Sequence, residues 1–133
     1  APIIPGRSDA GITLGQSIDE VLNHEQPIQV HTTLGGSVKY CFNQVDLWVR
    51  QDKVFQIGVK LDYQGKVQDV IGIGATISDV QSALGNVIED EEDNLIVSNM
   101  GGLCFETEIW QDGLKIEDNL GSRITDILVY VDD

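Results

Sequence analysis

The sequence predicts an α+β fold in which two pseudo-repeats, each a short helix followed by three to four antiparallel strands, share one core. Three observations predict it: blocks of residues that recur in order, helix-capping signatures ahead of apolar positions at helical spacing, and period-two alternation over most of what remains. The whole chain, 1–133, reads as a single domain. Pseudo-repeat 1 covers about 5–68 and pseudo-repeat 2 about 69–133.

The recurrence starts where Leu14-Gly15-Gln16-Ser17-Ile18-Asp19-Glu20-Val21 aligns with Ile73-Gly74-Ala75-Thr76-Ile77-Ser78-Asp79-Val80. A glycine pair follows each block, at Gly35-Gly36 and Gly101-Gly102, and Cys41-Phe42 is answered by Cys104-Phe105. The run from Lys53 to Val59 matches the run from Arg123 to Val129. Several matches in one order point to duplication, and repeats are sought first because they set the whole fold.

Ser17 is a good N-cap residue, and Glu20 three positions later completes a capping box; Ile18, Val21 and Leu22 then share a face, and Pro27 stops the helix. In the second block Thr76 caps with Asp79 in the box position, Ile77, Val80 and Leu84 form the apolar stripe, and Gly85 suits the position after the helix.

Strands follow in each half. Ile28, Val30 and Thr32 alternate with Gln29 and His31, and Leu95-Ile96-Val97 is the counterpart. Cys41, Val45, Leu47 and Val49 alternate with Tyr40, Gln44, Asp46, Trp48 and Arg50. After the Gln51-Asp52-Lys53 turn, Phe55, Ile57, Val59, Leu61 and Tyr63 alternate with Gln56, Lys60 and Asp62. Leu103, Phe105, Thr107 and Ile109 alternate with Cys104, Glu106, Glu108 and Trp110; Asp112-Gly113 is a turn. The last strand sets Ile127, Val129 and Val131 against Asp126, Leu128, Tyr130 and Asp132. Such alternation marks a half-buried antiparallel sheet, and neither half alone buries enough apolar surface to stand by itself.

Charge limits the function. Eight Lys and Arg against 22 Asp and Glu leave a formal charge of −14. Nucleic acid and anionic membrane surfaces reward Lys and Arg, so direct contact with either is disfavoured. An acidic chain stays soluble and meets a basic partner quickly. The two cysteines lack any metal or disulfide-scaffold spacing. The opening Ala1-Pro2-Ile3-Ile4 has neither a basic start nor an apolar run, so the expected compartment is the cytoplasm.

Motifs for catalysis fail one by one. Gly72-Ile73-Gly74 has Ile77 at the third glycine position of a dinucleotide loop and lies in an antiparallel context; these glycines read as a tight approach to the helix. A calcium loop opening at Asp90 would place Leu95 where glycine belongs and Gly101 where the bidentate glutamate belongs. The run Glu89, Asp90, Glu91, Glu92, Asp93 therefore reads as a solvated loop that can steer a basic partner. His24 and His31 lack a ligand at helical spacing. A Cys41–His31 pair places the thiol on the apolar phase of its strand, where an inert buried cysteine is expected. No enzyme activity, cofactor or metal is expected.

One surface stands out: the outward sheet face, where Trp48 and Trp110 sit on the polar phase of equivalent strands among acids. Exposed aromatics among charges are the composition of binding surfaces. The alternative is that each indole folds over the sheet.

The pattern running from Gly11 through Val21, repeated and followed by a small antiparallel sheet, resembles tandem-unit inhibitory proteins. The beta-lactamase-inhibitory-protein architecture is one, and the immunity proteins of bacterial contact-dependent growth-inhibition systems are similar in size and acidity. The resemblance spans most of the chain at the level of architecture, and no inhibitory residue transfers by position. It implies an immunity protein that neutralises a cognate basic nuclease toxin by covering its active or substrate-binding surface. The residues expected at the contact are Asp46, Trp48, Glu89, Asp90, Glu91, Glu92, Asp93, Glu106, Glu108 and Trp110. An exported inhibitor or scaffold binding an enzyme or envelope partner is the alternative, marked by a Cys41–Cys104 disulfide. A hydrolase with dispersed carboxylates is the third class.

Overall fold

Two glycines with positive φ, Gly15 at 91° and Gly74 at 94°, stand three residues ahead of the two helices. The left-handed region admits glycine without a Cβ clash, which is why this residue recurs there. The Gly15 amide donates to the Val54 carbonyl at 2.7 Å and the Gly74 amide to the Ile124 carbonyl at 2.9 Å. The approach to each helix is thereby fastened to a strand. The structure, a computed structural model, describes residues 2–33, 35–92, 94–108 and 115–131.

Strands β1 (Ser8–Asp9) and β2 (Ile12–Thr13) form a small hairpin around Ala10 and Gly11. Helix α1 (Ile18–Leu22) follows. Then come β3 (Gln29–Thr32), β4 (Val38–Cys41), β5 (Val45–Arg50) and β6 (Lys53–Lys60). Helix α2 (Ile77–Ala83) precedes β7 (Val87–Glu89), β8 (Leu95–Val97) and β9 (Met100–Thr107). A 3-10 turn at Ile116–Asp118 leads to β10 (Ile124–Tyr130). Strands β3 to β10 form one antiparallel sheet in the order β3-β4-β5-β6-β10-β9-β8-β7.

This overturns the expected class. Of the described residues 44% are strand and 12% helix, and the eight long-sheet strands are continuous rather than shared between two helix-plus-strand units. The reason is the size of the helices, five and seven residues. Helices so short are marginal and hold only by packing, so they cannot define a layer of their own. The matched blocks at 14–21 and 73–80 are two helix starts built alike, and the β-branched alternation elsewhere assembles one sheet.

Local details also differ. Thr76 makes the expected capping box with Asp79. Ser17 instead accepts from the Asp19 amide at 3.3 Å, without a return bond from Glu20. Helix α1 ends at an Asn23 cap, well before Pro27. The alternation from Tyr40 to Arg50 is broken by a turn at 42–44 into β4 and β5. That turn shifts Cys41 out of phase with Val45: it lies opposite Asp46 on the outward face, only partly buried. The expected turn at Asp112-Gly113, and Ile109, lie outside the described residues.

One sheet face carries the core. Leu47, Ile57, Val59, Leu103, Ile127 and Val129 are fully buried there. Against them pack Ile18 and Val21 of α1, Ile77 and Val80 of α2, and Ile3, Val67 and Ile71 from the connecting segments. Each such burial stabilises by about 1.5–3 kcal/mol, which is what holds the short helices down. The covered side fixes the sheet, and the other side is left open for a site.

Candidate functional site

The register of the sheet sets out the open face in rows. Lys39, Trp48, Gln56 and Tyr130 are successive cross-strand neighbours on β4, β5, β6 and β10. The next row reads Cys41, Asp46, Gly58, Leu128 and Cys104. A third holds Lys60, Asp126 and Glu106. Side chains two apart on a strand share a face, so these rows form one surface.

The surface is concave. A cavity of about 600 Å³ is lined by Trp48, Gln56, Leu128, Tyr130, Cys104 and Glu106 on its floor, with Asp90, Glu91, Glu92 and Asn94 as a wall. The wall is the β7–β8 loop. Asp90 shapes it: its Oδ1 accepts from the Glu92 amide at 2.9 Å and from the Asn94 amide at 3.0 Å. Its own amide donates to the Asn94 carbonyl. An Asp that holds its own loop in this way is a turn former.

Charge is unevenly balanced across the face. Asp46 is only 6% exposed and is paired with Lys60 at 2.9 Å and Lys39 at 3.8 Å. Its charge is neutralised within the sheet. Among the described residues Glu91, Glu92 and Glu106 form no salt bridge. Glu106 lies directly opposite Asp126, and its carboxyl is held above the usual range by burial first and by Asp126 second, with Lys39 pulling the other way. The Cys104 thiol is pushed up to about 12, by burial and then by Glu106, Asp90 and Glu92. Burial and then Asp46 raise Cys41. Both shifts disfavour the thiolate, which is the reactive form.

Trp48 is half-buried with its ring laid over the sheet, and the Lys39 ammonium sits 5.0 Å from the ring centroid. It therefore combines both sequence readings of an exposed anchor and a ring folded on the sheet.

Of the expected contact residues, Trp48, Asp90, Glu91, Glu92 and Glu106 meet around the cavity. Asp46 is on the same face but engaged by lysines. Glu89 turns instead toward a groove at the β7 edge that it lines with Gln81, Ile88 and Leu120. Glu108, past the end of β9, accepts from the Arg123 amide at 3.4 Å. Asp93 and Trp110 lie outside the described residues. Gln56, Cys104, Leu128, Asn94 and Gly58 were not anticipated as site residues; their strand phase was readable, but not which strands are neighbours.

No group of three or more His, Cys, Asp or Glu among the described residues is placed to hold a metal ion. His31 Nε2 is bonded to Gln29 Oε1 at 3.1 Å, while Cys41 stands beside Asp46. Cys41 and Cys104 end a row four strand spacings long, about 19 Å, so a disulfide between them within one chain is out of reach. No described helix is long and apolar enough to cross a membrane.

No protein-family model and no curated protein matches the chain. Its fold is similar to that of solved structures. The uncharacterized protein yfeY from Escherichia coli aligns at TM-score 0.67 with 14% identity, over 96% of this chain and 98% of that one. A cysteine-rich secretory protein from Staphylococcus aureus aligns at TM-score 0.58 with 10% identity, over 96% of this chain and 48% of that one. At these identities the likeness shows a shared fold.

Proposed function

We propose that the chain is a non-catalytic binding module whose open sheet face docks a cationic protein. One observation carries this reading: Trp48, Glu106 and the Asp90–Glu92 wall converge from distant parts of the sequence on one concave surface. Carboxylates without lysine or arginine partners attract a basic surface and speed its approach. A half-buried indole beside them supplies desolvation energy at small entropic cost, which slows departure. The immunity function expected from the sequence is the specific form of this reading, with a basic nuclease toxin as the partner and occlusion of its active or phosphate-binding surface as the mechanism.

The test is titration with a basic nuclease domain and with a neutral protein of similar size, read by amide chemical shifts. Binding of the basic protein, weakened by salt and with shifts centred on Trp48, Glu106 and the loop, is the expected result. Equal binding of the neutral protein, or shifts confined to another surface, would remove the proposal. Inhibition of the bound nuclease then separates an immunity role from docking alone.

A further inference from the structure

The sheet has two edges, and they are unlike. At one end β7 carries Glu89 and runs into Asp90, Glu91 and Glu92. At the other end all four residues of β3 are exposed, and Val30 at 52% and its neighbour Ile28 at 69% are among the most exposed large apolar side chains. Natural edge strands are usually protected by a charge, a proline within the strand or a bulge. Strand β3 is protected only by its shortness, four residues: Gln29, Val30, His31 and Thr32 include no Lys, Asp, Glu or Pro, and its pairing with β4 runs in regular register. Among the described residues no strand lies on its outer side.

The charge map singles out the same edge. Positions 26–45 contain no Asp or Glu, in a chain that has 22. Two copies at −14 repel over most of their surface, and an acidic edge adds to this. At β3 they meet through a neutral strand. The acidic wall belongs to the opposite edge, seven strand spacings along the sheet.

We infer that β3 is a self-association edge, pairing antiparallel with β3 of a second copy to make one continuous sheet. The occupant is a second copy because the acid-free stretch around β3 lets two chains at −14 meet without opposed carboxylates. The chain's own β3 is a neutral, β-branched strand present at the same concentration. A two-fold axis normal to the sheet keeps both open faces on one side and sends the acidic walls to opposite ends. Nothing in this inference depends on what the open face binds.

Sedimentation velocity on the full chain, from low to high micromolar concentration and at low and high salt, tests it. The expected result is a monomer–dimer equilibrium that shifts toward dimer as salt rises, since salt screens the net repulsion. Val30→Lys should raise the dissociation constant roughly tenfold or more by placing like charges across the axis. Thr32→Lys, also at an exposed position, should act alike, and Ile88→Lys on the β7 edge should leave it unchanged. A monomer under every condition would overturn the inference. So would a dimer insensitive to Val30→Lys and Thr32→Lys but lost in Ile88→Lys.

Discussion

The Trp48 indole lies across Gly58 so closely that a Cβ on that glycine would stand 3.2 Å from Cζ3 of the ring and 3.4 Å from Cγ of Leu128. Gly58 has no need of a special backbone conformation; it is small because the ring needs the space. Gly58→Ala should lift or rotate the indole and cost about 1–3 kcal/mol, as overpacking of a filled site does. Tryptophan fluorescence in a Trp110→Phe background reads the displacement, and chemical denaturation reads the stability. Unchanged fluorescence would mean the ring does not rest on the glycine.

Glu106 and Asp126 place two carboxylates directly opposite each other on β9 and β10. Like charges in that relation are destabilising, and Glu106 responds with a raised carboxyl, through burial first and Asp126 second. A group whose folded pKa is raised favours the folded state fully below its unfolded value and loses that contribution as pH rises through the folded value. Glu106→Gln should therefore stabilise the chain by roughly 0.2–1 kcal/mol at neutral pH and not at acid pH. Thermal unfolding at both pH values measures this. The same change should weaken a cationic partner, which would explain why the repulsion is kept.

Much of this surface was readable before the fold. The phase of Trp48, Glu106, Leu128 and Tyr130 follows from period-two alternation, and each sits on the open face as that phase requires. Two things were not readable. Which strands are neighbours depends on long-range pairing, so the adjacency of β6 and β10, which brings Gln56 beside Tyr130, has no local signal. The turn at 42–44 was hidden because Cys41 and Val45 fall in one phase if the strand is taken as unbroken. The helix-start blocks at 14–21 and 73–80 were real as local structure, yet local likeness does not decide how strands assemble.

Asp9 is fully buried in β1, and neither carboxylate oxygen closes a hydrogen bond. Desolvation raises its pKa to about 7, with the Ala10 amide near enough to offset part of the effect; Asp9 in turn helps raise Tyr63. Above its ordinary value of 3.8 the unfolded carboxyl ionises while the folded one stays protonated. Stability is thus fully present below that value, falls through the window up to about 7, and is level beyond it. Asp9→Asn should remove this slope and stabilise the chain above the window by on the order of 2–4 kcal/mol, with little effect at acid pH. Denaturation midpoints of both proteins across this pH range test it; parallel curves would show that Asp9 is ionised and satisfied in the fold.

Asp90 separates shape from charge in the acidic wall. Its Oδ1 organises the loop through the amides of Glu92 and Asn94, and asparagine keeps an oxygen at that position. Asp90→Asn should preserve the loop, remove one charge, and slow association with a basic partner severalfold without changing stability. Asp90→Ala should free the two amides and let Glu91 and Glu92 wander, costing about 0.5–1.5 kcal/mol and reducing the association rate further. Amide exchange at Glu92 and Asn94, measured beside association rates at two salt concentrations, distinguishes the variants. If both bind a basic partner as the parent does, the wall takes no part in docking, and the cavity floor around Trp48 and Glu106 carries the contact without it.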